Sequence, residues 1–309
     1  MTNSTFKTSY ITPHSIQSIV FQNSPIGFGS TLIHLIGLVE YCVRHEIDFQ
    51  FDRRGILSLY LDGSEDPWHR VFGDDSFKDV KFNHSRKHSV FVSLPNSFPF
   101  FTYMQICDDK TLFISDKWAR KFNPIIKDFL PLSVEMKEQI QKDKEYVMVG
   151  NVLGVHLRGT DSTNHGKAVS LEDRIEQIKT YMIDKNYDRI FLMTDESSYL
   201  TKAMQVFGDK LVFLRDVKRS ESNLSLHHHR NLPIGLKLLY DIVREMNILS
   251  MCNGQVLGRS GVSAVIRCMN PDVPYKVFDD PHLPKHDLAA WKNKLSEEQN
   301  VAYTTLEYQ

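Results

Sequence analysis

The spacing of apolar residues in the first half of the chain predicts one βαβ-like unit. Apolar residues recur at helical intervals over residues 32–43, and apolar and polar residues then alternate over residues 47–51 as in a short strand. A glycine-containing loop at residues 24–30 leads into the helix from a preceding strand. Short strands are also predicted at residues 91–92 and 112–114, although the pattern does not give their order in a sheet.

The second half of the chain alternates between apolar, strand-like runs and amphipathic, helix-like runs. Helices are predicted at residues 133–144 and 171–184, with Ser133 and Ser170 as N-caps, and also at residues 197–206 and 235–251. Strands are predicted at residues 146–157, 189–193, 211–214 and 255–257. Because strands and helices alternate throughout residues 146–268, the pattern predicts an α/β fold with a doubly wound parallel sheet.

The ends of the predicted strands are the places where a binding site is expected. Ligands of doubly wound sheets bind beyond the carboxyl ends of the strands, so the residues that follow each strand are candidate site residues. This rule selects residues 27–30, 156–161, 194–196 and 258–263.

His156 and Arg158 carry the sharpest signal, because alternate side chains of a strand share a face and both residues stand at a strand end. An arginine leaving a buried strand is costly unless it meets an anion. A diphosphate suits the planar guanidinium, which can contact two oxygens and stays charged at every usable pH. Asp161 can hold this guanidinium or the loop in place. The alternative interpretation is an internal ion pair between Arg158 and Asp161 that only fastens the end of the strand.

Asp195 and Glu196 follow another predicted strand and precede a helix. A carboxylate at a helix N-terminus is stabilised by the helix dipole and by free N–H groups, which is a purely structural interpretation. The functional interpretation is a carboxylate that contacts the hydroxyls of a sugar or a nucleotide. The pattern leaves both interpretations open.

Two glycine loops, one in each half of the chain, complete the candidate site. Gly27, Gly29 and Ser30 precede the first helix, and Ser260 with Gly261 precedes a helix that continues through residues 265–266. Small residues let main-chain N–H groups approach a phosphate closely, and a helix N-terminus favours negative charge. Such loops also occur as ordinary tight turns. Two of them with a strand-end arginine predict a diphosphate held between two domains.

The composition is that of a globular protein, with 309 residues of which 41% are apolar and 24% are charged. The net charge of -1 at pH 7 provides no basic surface for a polyanion, so we expect no nucleic-acid partner. The N-terminal residues lack the features of a signal peptide, and no apolar run approaches the about 20 residues of a spanning helix. We therefore expect no membrane span, a cytoplasmic location, and reduced thiols at the four scattered cysteines.

Three consecutive histidines, His227, His228 and His229, suggest a metal site at first sight. Adjacent histidines in a loop cannot readily converge on one ion, and no set of acidic residues or cysteines accompanies them. A solvated loop, or one that faces an acceptor, is the favoured interpretation, and we expect no metal cofactor.

The sequence resembles a group of fucosyltransferases that contains the α1,6-fucosyltransferases and the rhizobial nodulation fucosyltransferases. Residues 154–161 are similar to the first motif of this group, His-x-Arg-x-x-Asp, and residues 190–196 are similar to the second, a strand followed by acidic residues. Residues 245–261 are similar to the third motif, and residues 27–30 to the N-terminal glycine loop. The resemblance is good across residues 146–268 and is limited to the loop in the first half.

The resemblance implies a two-domain GT-B-like fold and an inverting, metal-independent transfer of fucose from GDP-fucose to a glycan acceptor. It implies that His156 and Glu245 contact the guanine base, with Asp241 as the alternative to Glu245. It also implies that Arg158 binds the diphosphate and neutralises the leaving GDP, while Asp161 supports that arginine. The residues that it implies at the ribose or base and at the phosphates are Asp195, Glu196, Ser260, Gly261 and Val262.

Two positions depart from the pattern of this family. The second arginine of the first motif is Gly159 here, so a positive charge near the leaving group is missing. The candidate substitutes for that charge are Lys167, Arg230 and Arg259. The acidic residue that the family has after this motif falls on Gly166, beside His165. His165 can act as the base near neutral pH, or it can be an ordinary surface histidine.

The predicted division of the chain has three parts. An N-terminal α/β domain with the glycine loop, on the acceptor side, is predicted at residues 1–145, a nucleotide-sugar-binding domain at residues 146–285, and a C-terminal tail or helix at residues 286–309. The predicted function is a glycosyltransferase that uses GDP-fucose and a glycan or oligosaccharide acceptor. The alternatives are a transferase that uses another nucleotide sugar, and a carbohydrate-binding pseudoenzyme, which the missing arginine at Gly159 suggests.

Overall fold

The chain folds into an α/β structure built on two parallel β-sheets. The computed structural model describes residues 16–23, 27–53, 57–60, 66–73, 81–82, 88–93, 116–159, 170–222, 226, 235–258 and 260–278. The strand predicted at residues 112–114 and the C-terminal tail predicted at residues 286–309 lie outside these ranges.

Among the described residues, the first sheet contains three parallel strands in the order β2–β1–β3. Their bounds are Ile16–Asn23 for β1, Asp48–Phe51 for β2 and His88–Ser93 for β3. Helix α1, at Phe28–His45, connects β1 to β2, which confirms the predicted βαβ unit. Most of this helix is buried, because it packs against β2 and also against helices that come later in the chain.

Three further helices precede the second sheet in the described part of the chain: one lies between β2 and β3, and two follow β3. They are α2 at Pro67–Phe72, α3 at Asp116–Phe129 and α4 at Val134–Val147. Ser133 is the N-cap of α4, as predicted, and its hydroxyl accepts a hydrogen bond from the main-chain N–H of Met136 at 3.1 Å. The sequence pattern does not predict α3, because this helix contains Pro124 in its interior and proline ordinarily breaks a helix.

The strand predicted at residues 146–157 is wrong in its first half. Helix α4 continues to Val147, and strand β4 occupies only Val152–Leu157. Between them the chain turns at Gly150, whose φ of 84° is in the region that favours glycine. The apolar residues that suggest a longer strand belong partly to the end of the helix, where Tyr146 is exposed.

The second sheet contains five parallel strands in the order β6–β5–β4–β7–β8. The remaining strands are β5 at Arg189–Thr194, β6 at Leu211–Val212, β7 at Gly254–Leu257 and β8 at Tyr275–Val277. The helices are α5 at Leu171–Asp184, α6 at Ser197–Phe207, α7 at Gly235–Met251 and α8 at Gly261–Met269. The predicted alternation is confirmed, although β6 ends two residues earlier than predicted. Ser170 caps α5 as predicted, with its hydroxyl 3.0 Å from the main-chain N–H of Asp173.

Helices cover both faces of the second sheet. On one face, Val155 and Leu157 of β4 belong to an apolar cluster with residues of α5 and α6. The other face carries Gly154 and His156, and a Cβ atom at Gly154 would lie 2.9 Å from the Leu249 side chain of α7. Strands β5 and β6 extend the sheet to one side of β4, whereas β7 and β8 extend it to the other side.

One apolar cluster links the two halves of the chain. It includes residues of α1, α3, α7 and α8, and α8 packs against both α1 and α3. The Asn123 side chain of α3 donates a hydrogen bond to the main-chain carbonyl of Cys268 at 2.7 Å. Arg267 of α8 forms an ion pair with Asp116 at 2.9 Å. The described parts of the two halves therefore share a core, and the division at residues 145 and 146 stays a prediction.

The described residues contain neither a helix that is long and apolar enough to cross a membrane nor a metal-binding cluster. Such a cluster would be a group of three or more His, Cys, Asp or Glu side chains that could hold one metal ion. Cys42, Cys252 and Cys268 are free and buried, in agreement with the expected reduced thiols. Cys107 and the three histidines at residues 227–229 lie outside the described ranges.

Candidate functional site

The carboxyl ends of β4, β5 and β7 meet at one edge of the second sheet. His156 of β4 is in register with Met193 of β5 and with Leu257 of β7. Helix α5 follows β4 on one face of the sheet, whereas α8 follows β7 on the other face. Such a change of face opens a crevice above the strand ends, which is where parallel sheets bind their ligands.

His156 is a buried histidine on the α8 side of this edge. Its Nδ1 lies 2.7 Å from the Ser263 hydroxyl and 3.5 Å from the Ser260 hydroxyl. Burial lowers the pKa of His156 to about 4, although the Asp195 carboxylate opposes this change, and the Arg158 charge lowers the pKa further. The imidazole is therefore neutral at pH 7, and one ring nitrogen can donate a hydrogen bond while the other accepts one.

Helix α8 begins at the same edge with a capped N-terminus. Ser260 is the N-cap residue, and its hydroxyl accepts a hydrogen bond from the main-chain N–H of Ser263 at 3.2 Å. The two serine hydroxyls are 3.2 Å apart, and the Ser263 hydroxyl contacts the imidazole of His156. The cap therefore fixes the position of the imidazole as well as the start of the helix.

Arg158 follows β4 directly and is half-buried. Its main-chain carbonyl accepts a hydrogen bond from Nη1 of Arg174, a residue of α5, at 3.0 Å. Burial raises the pKa of Tyr60 well above its ordinary range, and the Arg158 charge opposes this change. The Tyr60 hydroxyl accepts a hydrogen bond from the main-chain N–H of Phe28 at 2.8 Å. The Arg158 charge therefore acts close to the start of α1, where the first half of the chain meets the second sheet.

Gly159 brings the end of β4 against the two acidic residues that follow β5. Its main-chain N–H donates a hydrogen bond to Oδ1 of Asp195 at 2.8 Å, so this carboxylate holds the loop after Arg158. A Cβ atom at position 159 would lie 2.7 Å from the Cβ atom of Glu196 and would also contact its carboxylate. The Glu196 carboxylate accepts a hydrogen bond from the Ser198 hydroxyl. Glu196 therefore occupies the space that a second arginine would need.

Glu245 is buried in α7 and already holds an ion pair. Nη2 of Arg219 lies 2.9 Å from Oε1 of Glu245, and Arg219 also donates to the main-chain carbonyls of Leu214 and Val217. Burial raises the pKa of Glu245, whereas the Arg219 charge lowers it. The short contact is that of a charged pair, because these three hydrogen bonds fix the guanidinium at the carboxylate.

Asp241, the alternative to Glu245, is also buried and engaged. Its two oxygens accept hydrogen bonds from Lys237 at 2.6 Å and from Arg244 at 3.2 Å. Arg244 also contacts Asp143 of α4 at 2.8 Å and Asp216 at 2.7 Å. Asp241 therefore belongs to an ion-pair network that ties α4 to α7.

The two predicted glycine loops meet as a contact between two helices. A Cβ atom at Gly29 of α1 would lie 2.5 Å from the main-chain N of Val262 in α8, and one at Gly261 would lie 2.7 Å from main-chain atoms of α1. Gly27 is the N-cap residue of α1, and Ser30 lies in its first turn. Both glycines let the two N-termini approach each other closely. The contact of these residues with a phosphate stays a prediction.

Several predicted site residues lie outside the described ranges. They are Asp161, His165, Gly166, Lys167, Arg230 and Arg259. Their roles therefore stay predictions: Asp161 as the support of Arg158, His165 as the base, and Lys167, Arg230 or Arg259 as the substitute positive charge.

The fold is similar to that of solved fucosyltransferase structures. A NodZ α-1,6-fucosyltransferase co-crystallised with GDP has a TM-score of 0.56 and 16% sequence identity, over 86% of this chain and 96% of that chain. The fucosyltransferase NodZ from Bradyrhizobium has a TM-score of 0.55 and 16% identity, over 84% and 96% of the two chains. A variant of Arabidopsis thaliana FUT1 in complex with GDP has a TM-score of 0.51 and 10% identity, over 87% and 71%. The chain shares its fold with these fucosyltransferases.

The similarity lies in the fold and not in the sequence as a whole. No protein-family model matches the chain, and no curated protein sequence matches it either. At such low identities, the shared fold does not by itself carry over an activity or a ligand. The function therefore depends on the residues at the strand ends.

Three residues near this edge are missed by the sequence motifs: Tyr60, Arg174 and Arg219. Tyr60 comes from the first half of the chain, and Arg219 precedes its partner Glu245 by 26 positions, so neither contact has a local pattern. Arg174 does have a local signal. It is a basic residue near the N-terminus of α5, where the helix dipole favours acidic residues.

Proposed function

We propose that this protein is an inverting, metal-independent glycosyltransferase that transfers fucose from GDP-fucose to a glycan acceptor. The proposal includes a two-domain GT-B-like arrangement, a doubly wound second sheet and a cytoplasmic location. The observation that supports it most is the grouping of His156, Arg158 and Asp195 at the ends of neighbouring strands, in a fold shared with fucosyltransferases that were crystallised with GDP.

In this proposal the guanine base contacts His156 and Glu245. Guanine presents two adjacent N–H donors, which suit a carboxylate that Arg219 keeps charged. It also presents acceptors, which suit a neutral imidazole that can donate from one nitrogen. Asp195 and Glu196 then face the ribose or the base from the end of β5. This arrangement predicts a preference for GDP over UDP and ADP.

The diphosphate is assigned to Arg158 and to the N-terminus of α8, where Ser260, Gly261 and Val262 supply main-chain N–H groups. The acceptor hydroxyl attacks the anomeric carbon, the bond from that carbon to the β-phosphate oxygen breaks, and the bonding electron pair leaves with GDP. The acceptor proton passes to a base, for which His165 is the candidate. Arg158 neutralises the charge that develops on the departing diphosphate, so its contribution is larger in the transition state than in the ground state.

The donor assignment is tested by the thermal stability of the protein with nucleoside diphosphates. A ligand that binds only the folded state raises the apparent stability. We expect GDP and GDP-fucose to raise the melting temperature more than UDP or ADP do at the same concentration. A larger shift with UDP would favour a transferase for another nucleotide sugar, and no shift with any nucleotide would contradict the proposal.

The role of Arg158 is tested by the Arg158→Ala variant. Loss of one group that stabilises developing charge lowers turnover by about 100- to 1,000-fold, so we expect GDP release with a glycan acceptor to fall by this factor. Arg189→Ala is the matched control, because Arg189 begins β5 at the opposite edge of the same sheet. Equal turnover of wild type and Arg158→Ala would contradict the mechanism.

Gly159 favours one second candidate, a carbohydrate-binding pseudoenzyme. The motif lacks its second arginine, and the carboxylate of Glu196 lies where that side chain would stand. A protein of this kind binds glycan but releases no GDP from GDP-fucose. Measurement of both quantities on the same preparation distinguishes the two candidates.

A further inference from the structure

We propose that Arg174 of α5 supplies the second positive charge of the diphosphate site, the charge that position 159 lacks; this role rests on the proposed function. Arg174 is not one of the substitutes suggested by the sequence, Lys167, Arg230 and Arg259. It would act together with Arg158 on the two linked phosphates of the nucleotide sugar.

The position of Arg174 is the first support for this role. Its Nη1 donates a hydrogen bond to the main-chain carbonyl of Arg158 at the end of β4, at 3.0 Å. Its guanidinium also lies over the ring of Phe278, 5.9 Å from the centroid. The main-chain N–H of Phe278 is bonded to the carbonyl of Leu257, the last residue of β7. Arg174 therefore lies near the carboxyl ends of β4 and β7.

The hydrogen-bonding capacity of Arg174 is the second support. A guanidinium has five N–H donors, and among the described residues Arg174 uses only Nη1, while its buried Nε has no partner there. Within the same part of the chain no carboxylate lies at ion-pair distance from it. A partly buried guanidinium with unused donors is costly unless an anion meets it. Its planar fork matches the oxygens of a phosphate.

The reach of the Arg174 charge is the third support. Burial is the main cause of the lowered pKa of His156 and of the raised pKa of Tyr199, and the Arg174 charge lowers both pKa values. His156 lies on the α8 face of the sheet and Tyr199 on the α6 face. The charge is therefore felt on both sides of the crevice.

The space around position 159 explains why a second cation would come from another element. A side chain at this position would collide with Glu196. Arg174 approaches the same stretch of main chain from α5 and is already bonded to the residue before Gly159. It can therefore bring positive charge to the end of β4 without displacing Glu196.

The test compares GDP with guanosine, which lacks the phosphates, by titration calorimetry of Arg174→Gln and Arg174→Lys. Gln keeps an N–H donor for the Arg158 carbonyl but removes the charge, whereas Lys keeps the charge. A lost charge-assisted hydrogen bond weakens binding by about 10- to 100-fold. We expect this loss for GDP with Arg174→Gln, an unchanged affinity for guanosine, and for Arg174→Lys a GDP affinity between those of wild type and Arg174→Gln, because lysine keeps the charge but not the planar fork. Lys179→Ala, on an exposed part of α5, is the charge-matched control and should bind both ligands as wild type does.

Three results would overturn the role of Arg174. An Arg174→Gln variant that binds GDP as wild type does would show that its charge is not used. Equal weakening of GDP and guanosine, or equal losses for the Gln and Lys variants, would show a purely structural role through the Arg158 carbonyl. In each of these cases wild type still binds GDP, so the proposed function stands. Absence of GDP binding by wild type would instead remove both the function and this role.

Discussion

The main chain of Gly159 is in direct contact with the side chain of Glu196 at the carboxyl edge of the second sheet. A Cβ atom at Gly159 would lie 2.7 Å from the Cβ atom of Glu196. Non-bonded carbon atoms pack best at about 3.5–4.0 Å, so the two atoms would overlap sterically. The missing side chain at 159 and the long acidic side chain at 196 are therefore matched in size. The glycine at position 159, after β4, is therefore accommodated by the larger side chain of Glu196, after β5.

This contact predicts that Gly159→Ala destabilises the protein. An added methyl group in a filled space costs about 1–3 kcal/mol, and we expect this loss in the free energy of unfolding measured by urea denaturation. Because the Glu196 side chain, including its Cβ atom, is the obstacle, the same change in a Glu196→Gly background should cost much less. The two substitutions should therefore be coupled in a double-mutant cycle.

Gly258→Ala provides the control for this prediction. A Cβ atom at Gly258 would meet only the carbonyl oxygen of His156, at an ordinary distance of 3.6 Å. We expect this variant to be close to wild type in stability, within about 0.5 kcal/mol. Equal losses for Gly159→Ala and Gly258→Ala, or additive effects with Glu196→Gly, would contradict the size match.

Periodicity and capping residues are sufficient to predict most of the second half of the chain. Ser133 and Ser170 have the predicted cap geometry, because an N-cap is a local interaction between a side chain and the next turn. The positions of His156, Arg158 and Asp195 at one edge follow from strand ends in a parallel sheet, which the alternation of elements already predicts.

Contacts between distant residues account for what the sequence does not predict. The interior proline of α3 is tolerated because this helix packs on α1 and α8, and such support has no local signal. The glycines of the two loops can be recognised, but their contact through Gly29 and Gly261 depends on how the two helices meet. The ion pair between Arg219 and Glu245 and the approach of Arg174 to Arg158 likewise depend on the assembled sheet.

The buried ion pairs of Arg244 predict a large loss of stability when its side chain is removed. It is buried and contacts Asp143, Asp216 and Asp241 at 2.8, 2.7 and 3.2 Å. Removing one partner of a buried ion pair leaves uncompensated charges and costs about 3–5 kcal/mol. We expect a loss of this size for Arg244→Ala in urea denaturation.

The exposed pair of Arg44 with Glu40 is the matched control for the Arg244 network. The contact distance is 3.1 Å, but the Arg44 side chain is about half exposed. Such a pair contributes about 0–1 kcal/mol, so Arg44→Ala should have a small effect. A loss for Arg244→Ala as small as that for Arg44→Ala would show that the network does not stabilise the fold.

The contact between α1 and α8 predicts that Gly29→Ala is destabilising despite its position in a helix. Alanine gains about 1 kcal/mol over glycine in helix propensity. However, the added Cβ atom would lie 2.5 Å from the main-chain N of Val262, which cannot rotate away. Overpacking of about 1–3 kcal/mol against a rigid neighbour therefore outweighs the propensity, and the melting temperature should fall. Adding Val262→Ala to Gly29→Ala should not restore the melting temperature, because the main-chain N of Val262 remains. Full restoration would show that the steric clash is with the Val262 side chain instead.

His156 predicts a specific dependence of stability on pH. Burial lowers its pKa from 6.5 to about 4 in the folded protein, so the unfolded chain binds more protons between these two values. The contribution of a neutral His156 to the free energy of unfolding is therefore fully present above about pH 6.5, and it is lost as the pH falls towards 4. Since a tenfold change in proton affinity is worth about 1.4 kcal/mol, this loss is on the order of 2–3 kcal/mol between pH 7 and pH 4.5.

The His156→Asn variant isolates this contribution, because asparagine keeps a polar group for the Ser263 hydroxyl but does not titrate. Glu245, whose pKa is raised by burial and lowered by the Arg219 charge, also contributes to the dependence of stability on pH. That effect is present in both proteins and cancels in their difference. We expect the difference in the free energy of unfolding between wild type and variant to change by about 2–3 kcal/mol between pH 7 and pH 4.5, against wild type at the lower pH. A difference that stays constant over this range would mean that the imidazole takes up protons equally in the folded and unfolded states. It would contradict the neutral His156 that is assigned to the guanine base.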